Sequence, residues 1–192
     1  RPRVLCHRVR LLAALLPPLV AAAAPPSNAV LGSSPALFTL EYFASLGCPA
    51  CERFEAEVLP QLLPDVAAGR LRIVIRDLPA PELALESRAL ALLCLAPGSD
   101  YLDRRGALKR PHPAAASSVT GCSSDRLARS VLEFNRAIFE RQKFAGTPAF
   151  VLTHHAGDVE LVRRSWAGRL PLQEWLTMIE KVPLKPPTDG VP

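Results

Sequence analysis

The sequence predicts an α/β domain built on a mixed sheet, with a block of helices inserted between the sheet's two halves. Three observations carry this expectation. An aromatic and branched run is followed by an amphipathic helical pattern and a second apolar run. Such a strand–helix–strand crossover implies a parallel pair. Further along, two short apolar runs joined by a turn read as an antiparallel hairpin. Between these halves lies a stretch dominated by Ala, Leu, Glu and Arg, all good helix formers apart from its length being set by flanking Pro and Gly.

The elements follow in order. Ala36 to Phe43 reads as a buried strand and Ala44 to Gly47 as the loop after it. Phe54, Val58, Leu62 and Val66 then recur at helical spacing, with Pro60 and Pro64 placed to kink or end that helix and Gly69 to stop it. Leu71 to Ile75 is the second strand, closed by Arg76-Asp77-Leu78-Pro79. Glu82 to Leu95 is a strong helix. The looser stretch Ala96 to Gly121 allows a short helix around Tyr101 to Leu108, and Ser124-Asp125 caps another helix to about Phe139. Ala149 to Leu152 and Val159 to Arg163 form the hairpin, with His154 and His155 solvated in its turn. Leu172 to Val182 makes a closing helix, and residues 184–192 a flexible tail. Trp166, Trp175, Phe43, Phe144 and Phe150 are read as packing residues rather than a binding platform.

With 192 residues the chain has room for one well-cored domain. Its net charge of +5 invites a nucleic-acid reading, but the excess is local. Setting aside Arg1, Arg3, Arg8 and Arg10 from the 23 basic residues leaves 19 against 18 acidic ones, so no nucleic-acid partner is expected. Those arginines precede an apolar run, Leu11 to Ala24, and then small residues, the order of a secretory signal peptide. Pro25 disfavours a cut after Ala24, whereas Ser27-Asn28-Ala29 offers a small-x-small site. Residues 1–29 are therefore read as the signal and residues 30–183 as the domain, with the helical insert at about 80–143. An uncleaved anchor is the alternative; the apolar run is shorter than the ~20 residues a spanning helix needs, and Pro17-Pro18 interrupts it. Export would leave four cysteines, Cys48, Cys51, Cys94 and Cys122, in an oxidising compartment.

Cys48-Pro49-Ala50-Cys51 carries the chemistry. It falls between a buried strand and an amphipathic helix, so Cys48 stands at a helix N-terminus, where backbone amides and the helix dipole favour a thiolate. Pro49 suits the first helical position, which needs no amide donor. Cys51, one turn on, can resolve a mixed disulfide on Cys48. The bland alternatives are a static disulfide or half of a zinc site. Zinc needs two further ligands at recognisable spacing, and Cys94, Cys122 and His112 do not supply them, so no metal and no organic cofactor is expected. Phe144-Ala145-Gly146-Thr147-Pro148-Ala149-Phe150 places a proline at the start of a strand, where its missing donor is tolerated. A cis bond there would present the Thr147 backbone to an extended peptide; on spacing alone an ordinary trans turn is the commoner reading.

Taken together, the sequence resembles the DsbA-like family of thioredoxin-fold proteins. The resemblance is carried by Glu41-Tyr42, by the Cys48–Cys51 motif, by Gly69 to Pro79 with its Arg-Asp-Leu-Pro end, by Gly146-Thr147-Pro148 and by Gly168. It covers about Ala36 to Val182. It implies a thioredoxin-like fold with an inserted helical subdomain, a cis Pro148 facing the dithiol, and a periplasmic thiol:disulfide oxidoreductase acting on unfolded or partly folded exported proteins. A membrane redox partner would recycle the dithiol. The family's dedicated isomerases carry a dimerisation domain not seen here, so a monomer is expected. Reductase, isomerase and non-catalytic periplasmic binder or chaperone are the alternative readings. Two departures matter. Ala50 stands where many relatives have a thiolate-stabilising His, so a weaker oxidant is expected. The stretch from Glu41 to Cys48 is one residue longer than usual, so Glu41 is either a proton carrier beneath the dithiol or a strand-end carboxylate. Some relatives have a second disulfide in the insert; Cys94 with Cys122 would close a loop worth roughly 3 kcal/mol, two buried thiols being the alternative.

Overall fold

The computed structural model describes residues 26–80, 82–95, 101–109 and 125–168, together with Glu174 and Thr177, both helical. The basic and apolar N-terminal segment, His112, Cys122, Trp175, most of the closing helix and the tail lie outside the described residues.

Among the described residues five strands form one sheet: β1 (Ala29–Leu31), β2 (Phe38–Ala44), β3 (Leu71–Asp77), β4 (Ala149–Ala156) and β5 (Val159–Ala167), in the spatial order β1-β3-β2-β4-β5. β2 and β3 run parallel, from Phe38 opposite Leu71 to Ala44 opposite Asp77. The other pairings are antiparallel. The β2–β3 crossover is a broken helical path: α1 (Pro49–Arg53), a π-helical turn (Phe54–Val58) and α2 (Leu59–Ala67). Between β3 and β4 stand α3 (Leu83–Leu92), α4 (Tyr101–Lys109) and α5 (Asp125–Arg141), the expected insert.

The period of two along β2 and β4 sorts the core into two faces. Phe38, Leu40, Tyr42 and Ala44 join Ile73, Ile75, Phe150 and Leu152 in the larger cluster, which also takes in Cys51, Phe54, Leu59 and Leu62 of the crossover. Residues of α3, α4 and α5, among them Ala89, Leu92, Leu108 and Leu132, close over the same cluster. Phe43, Ala149 and Val151 point to the other face and pack with Leu78 and Ile138, flanked by Phe139 and Phe144. Each fully buried Leu, Ile or Phe contributes roughly 2 kcal/mol by leaving water, so the alternation of β2 is strongly specified.

Several elements differ from expectation for identifiable reasons. The crossover bends where Pro60 begins α2: Leu59 N–H reaches back five residues to the Phe54 carbonyl. Pro64 sits within α2 without ending it; Gly69, with φ +72°, does end it. β4 runs four residues past Leu152, so His154 and His155 lie in the strand and the turn is at Gly157 and Asp158. Neither histidine is fully solvated. His154 stacks on Phe38 with ring centroids 4.8 Å apart, and His155 Nε2 lies 3.2 Å from Thr39 Oγ1. Pairing with β2 decides this, since Phe38 faces His154 across the ladder. Both tryptophan and phenylalanine packing expectations hold where described: Phe43 and Phe150 are buried, and Trp166 stacks on Phe150.

β1 has no cue in the amino-acid sequence. Ala29, Val30 and Leu31 pair with Ile75, Val74 and Ile73. Just before them Ser27 N–H donates to the Leu93 carbonyl at 3.1 Å. Asn28 and the fully buried Asn135 exchange amide hydrogen bonds of 3.1 and 2.7 Å, and Asn135 Nδ2 also donates to the Asp77 carbonyl. Residues 27–29 are thus woven into the fold. With each such bond worth about 1 kcal/mol net, a chain beginning at Val30 is expected to be roughly 2–3 kcal/mol less stable than one beginning at Pro26. Thermal unfolding of the two chains checks this, and equal midpoints would refute it.

Candidate active site

Cys48 is the N-cap of α1, with φ −89° and ψ 106°, at the point where the chain leaves the end of β2. Gly47 makes the approach possible: its φ is +76°, and a Cβ there would come within 3.3 Å of Leu85 Cδ1 on α3. Pro49 occupies the first helical turn, as its fixed φ favours. Cys51 N–H donates to Cys48 Sγ at 3.1 Å, and Glu52 N–H to the Cys48 carbonyl at 3.1 Å. One main-chain donor, the Cys51 amide, therefore points at the sulfur on which negative charge would develop.

Cys48 and Cys51 are disulfide-bonded, with Cα atoms 5.3 Å apart. Their environments differ: Cys48 is half-buried, whereas Cys51 is 1% exposed within the core. Opposite Cys48 lies the Thr147–Pro148 peptide, which is cis. The Thr147 carbonyl oxygen is 3.4 Å from Cys48 Sγ. Pro148 is buried at the head of β4, and its carbonyl accepts from Gly168 N–H at 2.7 Å, which ties this wall to the end of β5. Ala145 and Gly146 before it are exposed. Ala50 adds no side-chain donor to the dithiol.

Glu41 is not beneath the dithiol. It points to the opposite face of the sheet, where Arg76 Nε donates to Oε1 at 2.7 Å and Arg163 lies 3.4 Å from Oε2. A shift of one residue along a strand moves a side chain to the other face, and that is the consequence of the longer stretch before Cys48. The dithiol face receives Tyr42 instead.

Tyr42 leads into a buried polar cluster with no single-motif signature in the sequence. Its hydroxyl donates to Glu55 Oε1 at 2.9 Å and lies 3.5 Å from the Cys51 carbonyl oxygen. Glu55, on the π turn, also contacts Lys109 and Arg105 of α4. Arg105, 1% exposed, grips Asp77 with both Nη atoms at 2.8 and 2.6 Å. Its Nη1 is 3.4 Å from the Tyr101 hydroxyl. Burial raises the Tyr42 phenol well above its ordinary value, and Glu55 adds to this. Burial likewise lifts Tyr101 to about 12. For Glu55, burial acts upward, but Arg105 and Lys109 outweigh it and the carboxyl titrates below its ordinary range. Burial pulls Arg105 down, and Asp77 more than reverses this, so the guanidinium stays charged. Glu55 lies four residues after Cys51, a spacing that hints at proximity on a helix. Arg105 is 50 residues further on, and only the fold brings it there.

Cys94 is disulfide-bonded; Cys122 lies outside the described residues, and their pairing stays an expectation. Among the described residues no cluster of three or more His, Cys, Asp or Glu is placed to hold a metal ion. Among them, too, no helix is long and apolar enough to cross a membrane.

The thioredoxin family model matches residues 25–162. Among solved structures, alpha-DsbA1 of Wolbachia pipientis is similar with a TM-score of 0.65 at 14% identity, covering 83% of this chain and 92% of that one. A periplasmic thioredoxin-like protein from Salmonella enterica serovar Typhimurium gives 0.60 at 16% identity, covering 81% and 90%. A thioredoxin-like oxidoreductase from Silicibacter pomeroyi gives 0.57 at 22% identity, covering 81% and 92%. At these identities the likeness concerns the fold: a thioredoxin-like sheet with an inserted helical subdomain, as in DsbA-like proteins. No match is found among curated protein sequences.

The unequal burial of the two sulfurs has a measurable consequence. After reduction, Cys48 is expected to react with iodoacetamide at least tenfold faster than Cys51, because the alkylating reagent must reach a thiolate. Peptide mapping after timed alkylation checks the order; faster labelling of Cys51 would contradict the assignment of the outer sulfur.

Proposed function

This chain belongs to the thioredoxin family, and from that membership together with its dithiol geometry we propose that it is an exported thiol:disulfide oxidoreductase acting on folding proteins. One observation carries the reading. The accessible sulfur of Cys48 stands at a helix N-terminus opposite the Thr147 carbonyl, while its partner Cys51 is buried. A nucleophile or electrophile presented outward and a resolving thiol held inward are what disulfide exchange requires.

In the oxidising direction a substrate thiolate attacks Cys48 Sγ. The new intermolecular S–S bond forms as the Cys48–Cys51 bond breaks, and Cys51 leaves as a thiolate and takes up a proton. A second substrate thiolate then attacks the substrate sulfur of this mixed disulfide, closing the substrate's disulfide and releasing Cys48 as a thiolate. The substrate has lost two electrons and the dithiol has gained them; a membrane disulfide partner would take them up to restore Cys48–Cys51. The amide of Cys51, which donates to Cys48 Sγ, favours the released thiolate. Thr147 and Pro148 supply the opposite wall, against which an extended peptide can lie. The motif at the N-terminus, and the periplasmic thioredoxin-like protein among the structural neighbours, support a periplasmic setting.

Direction depends on potential. Ala50 offers no hydrogen bond to the Cys48 thiolate, which leaves the reduced form less favoured than in the strongest oxidants of this fold. The Cys48–Cys51 potential is expected well below the roughly −120 mV of such oxidants. Equilibration with glutathione measures it, and a value that high would overturn the role given to Ala50.

Replacing Cys48 with Ser is expected to abolish insulin reduction and the oxidative refolding of a reduced substrate. Replacing Cys51 with Ser should instead accumulate mixed disulfides on Cys48 that a reductant releases. If Cys48→Ser retains the full function of the protein in cells, the dithiol is not what the cell uses and the non-catalytic binding reading replaces the enzymatic one.

A further inference from the structure

Arg105 is the largest fully buried side chain of the described residues, and it is charged. It belongs to the insert and touches the Tyr101 hydroxyl of its own helix, yet its carboxylate partners lie outside the insert. Its guanidinium crosses to the sheet, to the C-terminal end of β3, where Asp77 lies opposite Ala44 in the ladder. That is the end of the sheet from which the chain runs to Cys48. Stability alone does not call for such an arrangement, since a buried ion pair is commonly no better than a well-packed apolar pair of similar volume.

We propose that Arg105 and Lys109 of α4 are positioning residues of the redox site, setting through Glu55 and Tyr42 both the seat of the dithiol helix and the charge felt by its sulfurs. The inference rests on the reading of Cys48–Cys51 as an exchanging dithiol. The contacts form an unbroken path. Arg105 holds Asp77 at 2.6 and 2.8 Å and lies 3.4 Å from Glu55 Oε2; Lys109 pairs with Glu55; Glu55 accepts from Tyr42 at 2.9 Å; and the Tyr42 hydroxyl is 3.5 Å from the Cys51 carbonyl. Two cations and two carboxylates thus balance in a site that is largely shielded from water, with Arg105 and Asp77 buried and Glu55 and Lys109 at its edge. Removing one charge leaves an uncompensated charge of known sign beside the dithiol, where the low local dielectric makes it count. Reduction of Cys48–Cys51 creates negative charge on Cys48. An uncompensated cation stabilises that form, and an uncompensated carboxylate opposes it.

The test is the sign of two opposed substitutions in the full chain. Glu55→Gln leaves the cations in excess; it should lower the Cys48 thiol pKa and shift the glutathione equilibrium roughly fivefold toward the reduced dithiol. Arg105→Met leaves the carboxylates in excess and should shift it by a similar factor the other way, with Arg105→Lys restoring most of the wild-type value. Lys109→Met, on a less buried residue, carries the same expected sign as Arg105→Met and serves if that variant does not fold. Shifts of the same sign in all variants, or thermal destabilisation with no change in equilibrium or thiol pKa, would reduce the cluster to a structural role and overturn the proposal. Failure of the wild-type dithiol to exchange with glutathione would count instead against the enzymatic reading, and the thiol pKa of the reduced protein would still report on the cluster.

Discussion

Strand β2 is hydrogen-bonded along both edges, to β3 on one side and β4 on the other, and its two-residue period governs what surrounds the dithiol. Tyr42 and Ala44 face the crossover helix because Phe38 and Leu40 do; Glu41 and Phe43 must then face the other way. Slipping β2 by one residue would turn Phe38, Leu40, Tyr42 and Ala44 away from the larger cluster and bring Thr39 and Glu41 into it, so the register has little freedom. Everything at the site inherits that constraint. The end of β2 sets where Gly47 turns, Gly47 sets where Cys48 caps α1, and the antiparallel ladder with β4 brings Pro148 to the same end of the sheet.

The two faces of the sheet consequently carry different polar systems. On one, Glu41 is neutralised by Arg76 and Arg163, and Asn135 bridges Arg76, Asp77 and Asn28. This system ties the N-terminal segment and α5 to the sheet. On the other face Tyr42, Glu55, Arg105, Asp77 and Lys109 sit among apolar residues next to Cys51. Burying so many charges is costly unless each finds a partner, and here each does. Asp77 belongs to both systems: its carboxylate faces Arg105 while its carbonyl accepts from Asn135. The Arg76-Asp77 pair at the end of β3 therefore sends neighbouring side chains to opposite faces, one to each system.

The broken crossover helix also has a consequence for the site. Because Pro60 has no amide to donate, the path from α1 to α2 widens into a π turn at Phe54–Val58. Glu55 is on that turn, and Phe54 packs there against Tyr42 and Phe150. The irregular segment is thus the one that places a carboxylate under the dithiol and an aromatic ring in the core.

Local chemistry was legible wherever a residue's own properties decide its conformation. The dithiol at a strand–helix junction, the Pro-initiated strand at Pro148, the glycine stop at Gly69 and the Ala- and Leu-rich α3 follow from dihedral preference, capping and period, all of which act within a few residues. β1 was not legible, since three residues carry no period and a signal-like composition precedes them; only the exposed edge of β3 makes Ala29 to Leu31 a strand. His154 and His155 read as a polar turn because their pairing partners, Phe38 and Leu37, lie over a hundred residues away. The opposite placements of Glu41 and Tyr42 were open for the same reason: an extra residue before Cys48 shifts the phase of β2, and only its ladders fix that phase. The sequence by itself determined that Cys48 and Cys51 form a dithiol at a helix N-terminus. The tertiary structure alone decided which charges sit beside it, because ion pairs such as Arg105 with Asp77 depend on packing between distant elements rather than on spacing along the chain.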